Sequence, residues 1–105
     1  MTDESSTPAP GDEPVFSVAD APDEGRFELR RDGELLGYAN YSLRDNTVIV
    51  PHVETIREHR GNGYAARLMD GMLAILRDEE RTITPLCSFA RGHIQDNPAH
   101  HDLVA

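Results

Sequence analysis

This chain of 105 residues contains no tryptophan, no lysine and a single cysteine, Cys87. A lone thiol excludes an internal disulfide and suits a reducing compartment. No apolar run approaches the roughly 20 residues that a membrane-spanning helix needs. The N-terminus also lacks the basic region and the apolar run of a signal peptide. These absences predict a soluble, cytoplasmic protein with no membrane partner.

Acidic charge is concentrated at one end of the chain. The net charge is −9, and seven of the 19 acidic residues lie in residues 1–25, which contain no base. An acidic surplus argues against nucleic acid or an anionic membrane as a partner. Residues 1–14 hold too little apolar surface to offset their ordering entropy, so we expect a disordered acidic arm. Residues 15–105 are expected to form one domain.

The apolar patterns predict an α+β fold with a mixed sheet. An antiparallel meander leads into one strand–helix–strand unit, whose two strands are parallel because a helical crossover joins them. Asp32-Gly33 favours a hairpin turn. In the strand after it, a period of two places Leu36 and Tyr38 on the face opposite Ala39. The predicted strands span 15–18, 26–30, 34–43, 47–55 and 82–87, and a long and a short helix are predicted at 65–80 and 89–95.

The turn Arg60-Gly61-Asn62-Gly63 joins the fourth strand to the long helix. Backbone amides at a helix N-terminus have no intrahelical partner, and the helix dipole favours negative charge, so this turn is a candidate anion site. Arg57 and His59 add positive charge nearby. The alternative is an ordinary turn with solvated arginines, because short glycine motifs are weak evidence alone. The spacing fits neither a P-loop nor a dinucleotide fingerprint.

Several motifs together resemble a known family. Arg60-x-x-Gly63-x-Ala65, between an apolar strand and an amphipathic helix, resembles the coenzyme A pyrophosphate loop of the GNAT N-acetyltransferase superfamily. His52-Val53-Glu54-Thr55 and Pro85-Leu86-Cys87-x-Phe89 resemble motifs of its smallest members, and the resemblance covers Phe16 to about Val104. It implies a GNAT-like fold and transfer of an acetyl group from acetyl-CoA to an unidentified amine.

The resemblance also implies where the coenzyme lies. The pantetheine arm would run along the strand backbone at Val53 and Thr55, and the thioester would enter the gap beside Leu86-Cys87. Arg60 would lie next to the pyrophosphate. The pyrophosphate itself would be held by backbone amides of Gly61, Asn62, Gly63, Tyr64 and Ala65.

The catalytic groups depart from the pattern of the superfamily. Many members carry a tyrosine acid on the last helix, whereas this chain has Ile94 there and no tyrosine after Tyr64. Cys87 is the candidate replacement, as an acid or as a nucleophile, and the alternative is an inert, buried thiol. His52 and Glu54 share one strand face and either accept the amine proton or are polar groups on a solvated face.

Two other functions stay open at this point. A non-catalytic CoA or acyl-CoA binding module would keep the loop without the acid, and a regulatory protein would bind a partner through its acidic arm. His100-His101 is a weak ligand pair, and no metal site is expected. The few residues after Asn97 leave little chain to close an acceptor site, and the oligomeric state is not predicted.

Overall fold

The computed structural model describes residues 13–105, so the predicted acidic arm lies almost entirely outside the described residues. Five strands form one sheet in chain order, antiparallel except for a parallel last pair. The predicted α+β class, the meander and the single strand–helix–strand unit are therefore confirmed. The elements are β1 (Phe16–Ala21), β2 (Arg26–Arg31), β3 (Glu34–Arg44), β4 (Thr47–Thr55), α1 (Tyr64–Asp78), β5 (Thr82–Pro85) and α2 (Ser88–Gln95), with 3₁₀ turns at Pro22–Glu24, Arg57–His59 and Pro98–Leu103.

The predicted hairpin turn joins β2 to β3. Asp32 has φ 50° and Gly33 has φ 90°, and two consecutive positive φ values are what a tight hairpin turn requires. Glycine adopts this conformation at no steric cost, and aspartate tolerates it better than most residues.

Helix α1 packs across one face of the sheet. Its apolar stripe, Leu68, Met69, Met72, Leu73 and Leu76, is fully buried. The opposing sheet face supplies the buried side chains of Phe27, Leu29, Val48 and Val50. Gly71 allows α1 to lie close to β1, since a Cβ placed there would lie 2.3 Å from Cγ2 of Val18 on β1. No helix within residues 13–105 is long and apolar enough to cross a bilayer.

The predicted alternation along β3 is wrong at Leu36. Leu29 pairs with Gly37 and Arg30 pairs with Leu35, so Leu36 is the extra residue of a β-bulge. The bulge reverses the alternation, and Leu36 therefore joins Ala39 in the core, where both are fully buried. Tyr38 lies on the other face.

The predicted last strand is too long, because β5 ends at Pro85 rather than at residue 87. Leu86 and Cys87 both donate their backbone N–H to the carbonyl of Val50, at 2.9 and 3.1 Å. Two donors converging on one carbonyl take the chain out of the strand ladder and into α2. The long helix ends at Asp78, within the stretch 77–80 where the sequence places its end.

Candidate functional site

The second half of β4 separates from β5. Their parallel pairing ends at Val50 and Pro85, whereas β4 continues to Thr55. A bulge lies at the separation, since Asn40 pairs with His52 but Ser42 pairs with Ile49. Proline is tolerated at Pro51 because a bulge frees it from donating to the ladder. Within residues 13–105, no strand pairs with β4 on this edge beyond Val50.

Backbone groups of Val53 and Thr55 face this open edge. Ile56 donates its N–H to Leu36 of β3 at 2.8 Å, and successive residues of a strand direct their backbone groups to opposite edges. Val53 and Thr55 therefore point away from β3. The carbonyl of Thr55 is met there by Nε of Arg60, at 3.4 Å. An extended ligand could add to this edge as a further strand.

The glycine loop follows β4 after the turn Arg57–His59 and is open to solvent. Gly61 and Gly63 have φ values of 86° and 74°, and a Cβ at either position would have no neighbour within 4 Å. The glycines are thus required by backbone conformation and not by crowding. Asn62 is exposed, and its Nδ2 donates to the carbonyl of His59 at 3.0 Å, which ties the loop to the preceding turn.

Gly63 is the N-cap of α1 and offers no side-chain cap. The first intrahelical bond is made by the N–H of Arg67 to the carbonyl of Gly63. The amides of Tyr64 and Ala65 are therefore left to an external acceptor. The Tyr64 side chain points elsewhere, with its hydroxyl accepting from Arg31 at 2.8 Å and its ring centroid 5.8 Å from that of Phe16.

His52, Glu54 and Arg60 form one chain of contacts. The two carboxylate oxygens of Glu54 lie 2.9 Å from Nε2 of His52 and 2.8 Å from Nη2 of Arg60. These hydrogen bonds, first from Arg60 and then from His52, lower the pKa of Glu54. Glu54 is therefore a carboxylate at neutral pH and a poor proton acceptor. The sequence predicted the His52–Glu54 pair but not its link to Arg60, which lies six positions beyond Glu54 and across a loop.

The surrounding sheet face is polar and ordered. The Arg26 guanidinium lies 4.5 Å above the Tyr38 ring, whose centroid is 6.4 Å from that of His52. Glu28, on the neighbouring strand, accepts hydrogen bonds from Arg26 and Arg30. His52 thus belongs to a structured polar row on the face opposite α1.

Cys87 lies at the N-terminus of α2, as its N-cap residue. Its backbone bond to Val50 fixes it where β4 and β5 separate, and the residue is half-buried. Leu86 and Phe89 on either side of it are exposed. Within residues 13–105, the hydrogen-bond partner of His52 is Glu54 and not Cys87.

The predicted residues therefore gather at one end of the sheet, around the gap between β4 and β5. Val53 and Thr55 line the gap, the glycine loop lies between β4 and α1, and Cys87 marks the point where the strands separate. His52 and Glu54 lie on the outer face of the same strand half.

Comparisons with known proteins agree with the fold described above. The sequence profile of a family described as GCN5-related N-acetyl-transferase matches residues 26–103. A GCN5-like protein from Staphylococcus aureus, solved by NMR, superposes with a TM-score of 0.63 over 85% of this chain and 87% of that chain. Sequence identity between the two is 20%, so this likeness concerns the fold. No curated protein matched the sequence.

Proposed function

Because this chain belongs to the family of GCN5-related N-acetyl-transferases, we propose that it moves an acetyl group from acetyl-CoA to an amine. Acetyl transfer to nitrogen is the reaction class of the family. The observation that carries the choice of donor is the unpaired end of β4, which leads through the turn Arg57–His59 into a glycine loop at a helix N-terminus.

The open edge of β4 suits the pantetheine arm of coenzyme A, and the glycine loop suits its pyrophosphate. The pantetheine arm contains amides, which would pair with the backbone of Val53 and Thr55 as an added strand does. The pyrophosphate would accept hydrogen bonds from the amides of Gly61 to Ala65, where the helix dipole adds to the attraction. A guanidinium carries five N–H donors, so Arg60 keeps donors for the phosphates while bound to Glu54.

Placed in this way, the thioester reaches the gap beside Cys87. The amine attacks the thioester carbonyl, the bond between carbonyl carbon and sulfur breaks, and the CoA thiolate must take up a proton. In direct transfer the Cys87 thiol supplies that proton. In a covalent route the Cys87 thiolate attacks first, an acetyl-cysteine forms as CoA leaves, and the amine then displaces the cysteine.

His52 is the candidate group for accepting the amine proton. If Nε2 carries the hydrogen that Glu54 accepts, Nδ1 keeps its lone pair for a proton. Glu54 would then orient the ring and select this tautomer, because its own pKa is lowered. Glu54 is a positioning residue in this scheme.

The acceptor side is open and partly apolar. Exposed Leu86 and Phe89 border Cys87, and within residues 13–105 no further strand follows β5 in the sheet. We infer that the acceptor amine is carried by a large molecule such as a protein, which supplies the remaining walls of the site.

A non-catalytic acetyl-CoA binding module is the second candidate. Ile94, which occupies the position where the resemblance places the tyrosine acid, is almost completely buried. A chain without an acid would bind the coenzyme and not release it as product. Acetyl-CoA binding without transfer to any amine would favour this candidate.

The coenzyme site is tested by one pair of variants. Gly63→Asp places a negative charge at the loop and should abolish acetyl-CoA binding measured by calorimetry. Gly33→Asp is the matched control, because it adds the same side chain at another open, positive-φ glycine away from the loop. Undiminished affinity in Gly63→Asp, or an equal loss in both variants, would remove the loop from the site.

A further inference from the structure

Three side chains with metal-binding groups meet on the surface beside α1. Asp70 comes from α1, His93 from α2 and His100 from the turn Pro98–Leu103, and their ligand atoms all lie within 4.8 Å of one another. Oδ1 of Asp70 is 2.7 Å from Nε2 of His93 and 3.6 Å from Nε2 of His100. Three separate elements thus direct ligand atoms to one point.

The two histidines at this point are mostly buried and stack on each other. Their side chains are 12% and 22% exposed, and their rings stack with centroids 6.1 Å apart and planes inclined by 21°. Nδ1 of His100 is enclosed and has no hydrogen-bond partner within residues 13–105. The atom that faces Asp70 is Nε2, so Nε2 of His100 would be the ligand to a metal ion at this point.

We propose that Asp70, His93 and His100 form a site for a divalent transition-metal ion, with zinc as the ion that fits best. Two imidazoles and one carboxylate are a ligand set typical of zinc, whose open sites combine three protein ligands with a water. Calcium and magnesium prefer all-oxygen sites, which two histidines do not provide. The Asp70 side chain is 61% exposed, so solvent reaches the fourth position.

Neighbouring charges permit a cation here. Asp70 and His100 line a small cavity of about 270 Å³, and Arg77 lines it as well. Its guanidinium is bound by both carboxylate oxygens of Asp102, at 2.8 and 2.9 Å, which offsets its charge. Asp78 lines the cavity as well and adds a second negative charge.

Metal binding would fix the position of α2. The Phe89 ring stacks on His93 with centroids 6.1 Å apart, and Phe89 lies two positions after Cys87. An ion that joins α1, α2 and the C-terminal turn would therefore hold the helix that begins beside the gap between β4 and β5. Metal binding at this site needs no coenzyme and does not depend on acetyl transfer.

The sequence did not indicate this site. Its ligands are separated by 23 and 7 positions, and the visible motif was the adjacent pair His100-His101. The fold separates that pair, since Nε2 of His101 lies 3.3 Å from the carbonyl of Gln95. His101 is outside the cluster and serves as a matched control.

The test is calorimetric titration of untagged protein with zinc chloride alone, at neutral pH. We expect one zinc per chain, with affinity at least about tenfold weaker in His93→Gln and His100→Gln, since even outer partners of metal ligands contribute about 10–100-fold. Asp70→Asn should also weaken binding, and this exposed position avoids any question of folding. His101→Gln and Cys87→Ser should bind as the parent does.

Two results would overturn the proposal. Absence of saturable zinc binding to the parent protein would show that the three side chains form only a hydrogen-bonded cluster. Binding of equal strength in the parent, His93→Gln and Asp70→Asn would mean an adventitious ion only, held by other groups. Neither result bears on acetyl-CoA, which is titrated separately.

Discussion

Glu54 joins the strand that borders the gap to the loop that closes it, through a 2.8 Å hydrogen bond from Arg60. The same carboxylate holds His52 at 2.9 Å. One residue thereby restrains both the arginine proposed to meet the pyrophosphate and the histidine proposed to accept the amine proton. Substitution of Glu54 should separate these two roles.

Glu54→Gln is expected to bind acetyl-CoA at least as tightly as the parent, because Arg60 loses its carboxylate and becomes available to the phosphates. Turnover of an amine acceptor should fall, since His52 loses the group that orients it. The measurement is calorimetry for the affinity and steady-state kinetics for kcat. Weaker coenzyme binding together with unchanged kcat would contradict both assignments.

Cys87→Ser should bind acetyl-CoA with parent affinity, because the backbone N–H that anchors this residue to Val50 is kept. Acetyl transfer should fall by about 10²-fold or more, as expected when a group that moves a proton is lost. Transfer at the parent rate would show that the thiol is only a packing group.

Gly71→Ala should lower the free energy of unfolding by about 1–3 kcal/mol, the usual cost of overpacking. The added methyl would collide with Val18, which lies 2.3 Å from its position. The control is Gly92→Ala in α2, where a Cβ meets nothing within 4 Å and the change should stabilise by about 0.5–1 kcal/mol. Urea denaturation of both variants measures the difference. Equal effects would mean that α1 and β1 are not in contact as described.

Stability should decrease in acid through Glu28. Burial raises the pKa of this carboxyl, but the hydrogen bonds from Arg26 and Arg30 outweigh it, and the net pKa lies below 4.5. A depressed folded-state pKa contributes stability above the ordinary pKa, and that contribution is lost as the pH falls through the lowered value. Glu28→Gln should therefore be less stable than the parent at neutral pH, and this difference should shrink below pH 4.5. Urea denaturation at each pH measures this difference in stability. If the difference stays the same from neutral pH to below pH 4.5, the prediction is refuted.

The strand order and the glycine turn before α1 were predictable because their signals are local. Asp32-Gly33 and the alternation of β2 fix a hairpin, and the crossover to Thr82 fixes a parallel strand. The bulge at Leu36 was not predictable, because it depends on which residues of β2 face it. The end of β5 was missed for the same reason, since Leu86 and Cys87 leave the ladder through bonds to Val50, which lies more than 30 positions earlier.

The residues of the proposed site also divide into positions that the sequence could predict and contacts that it could not. For the glycines and for Val53 and Thr55 of the proposed site, the position in the fold could be predicted from one continuous stretch. Contacts between side chains of distant elements could not, as the Arg60–Glu54 bond and the cluster around Asp70 demonstrate. Such contacts depend on how strands, loops and helices pack together in the folded chain.

Titration of acetyl-CoA into the parent protein tests the central claim most directly. We predict saturable binding of one acetyl-CoA per chain, measured by calorimetry. The same sample is then examined by mass spectrometry. A mass gain of one acetyl group on Cys87 would identify the covalent route, and an unchanged mass would identify direct transfer or simple binding. Absence of any binding heat and of any protection against unfolding would contradict the account.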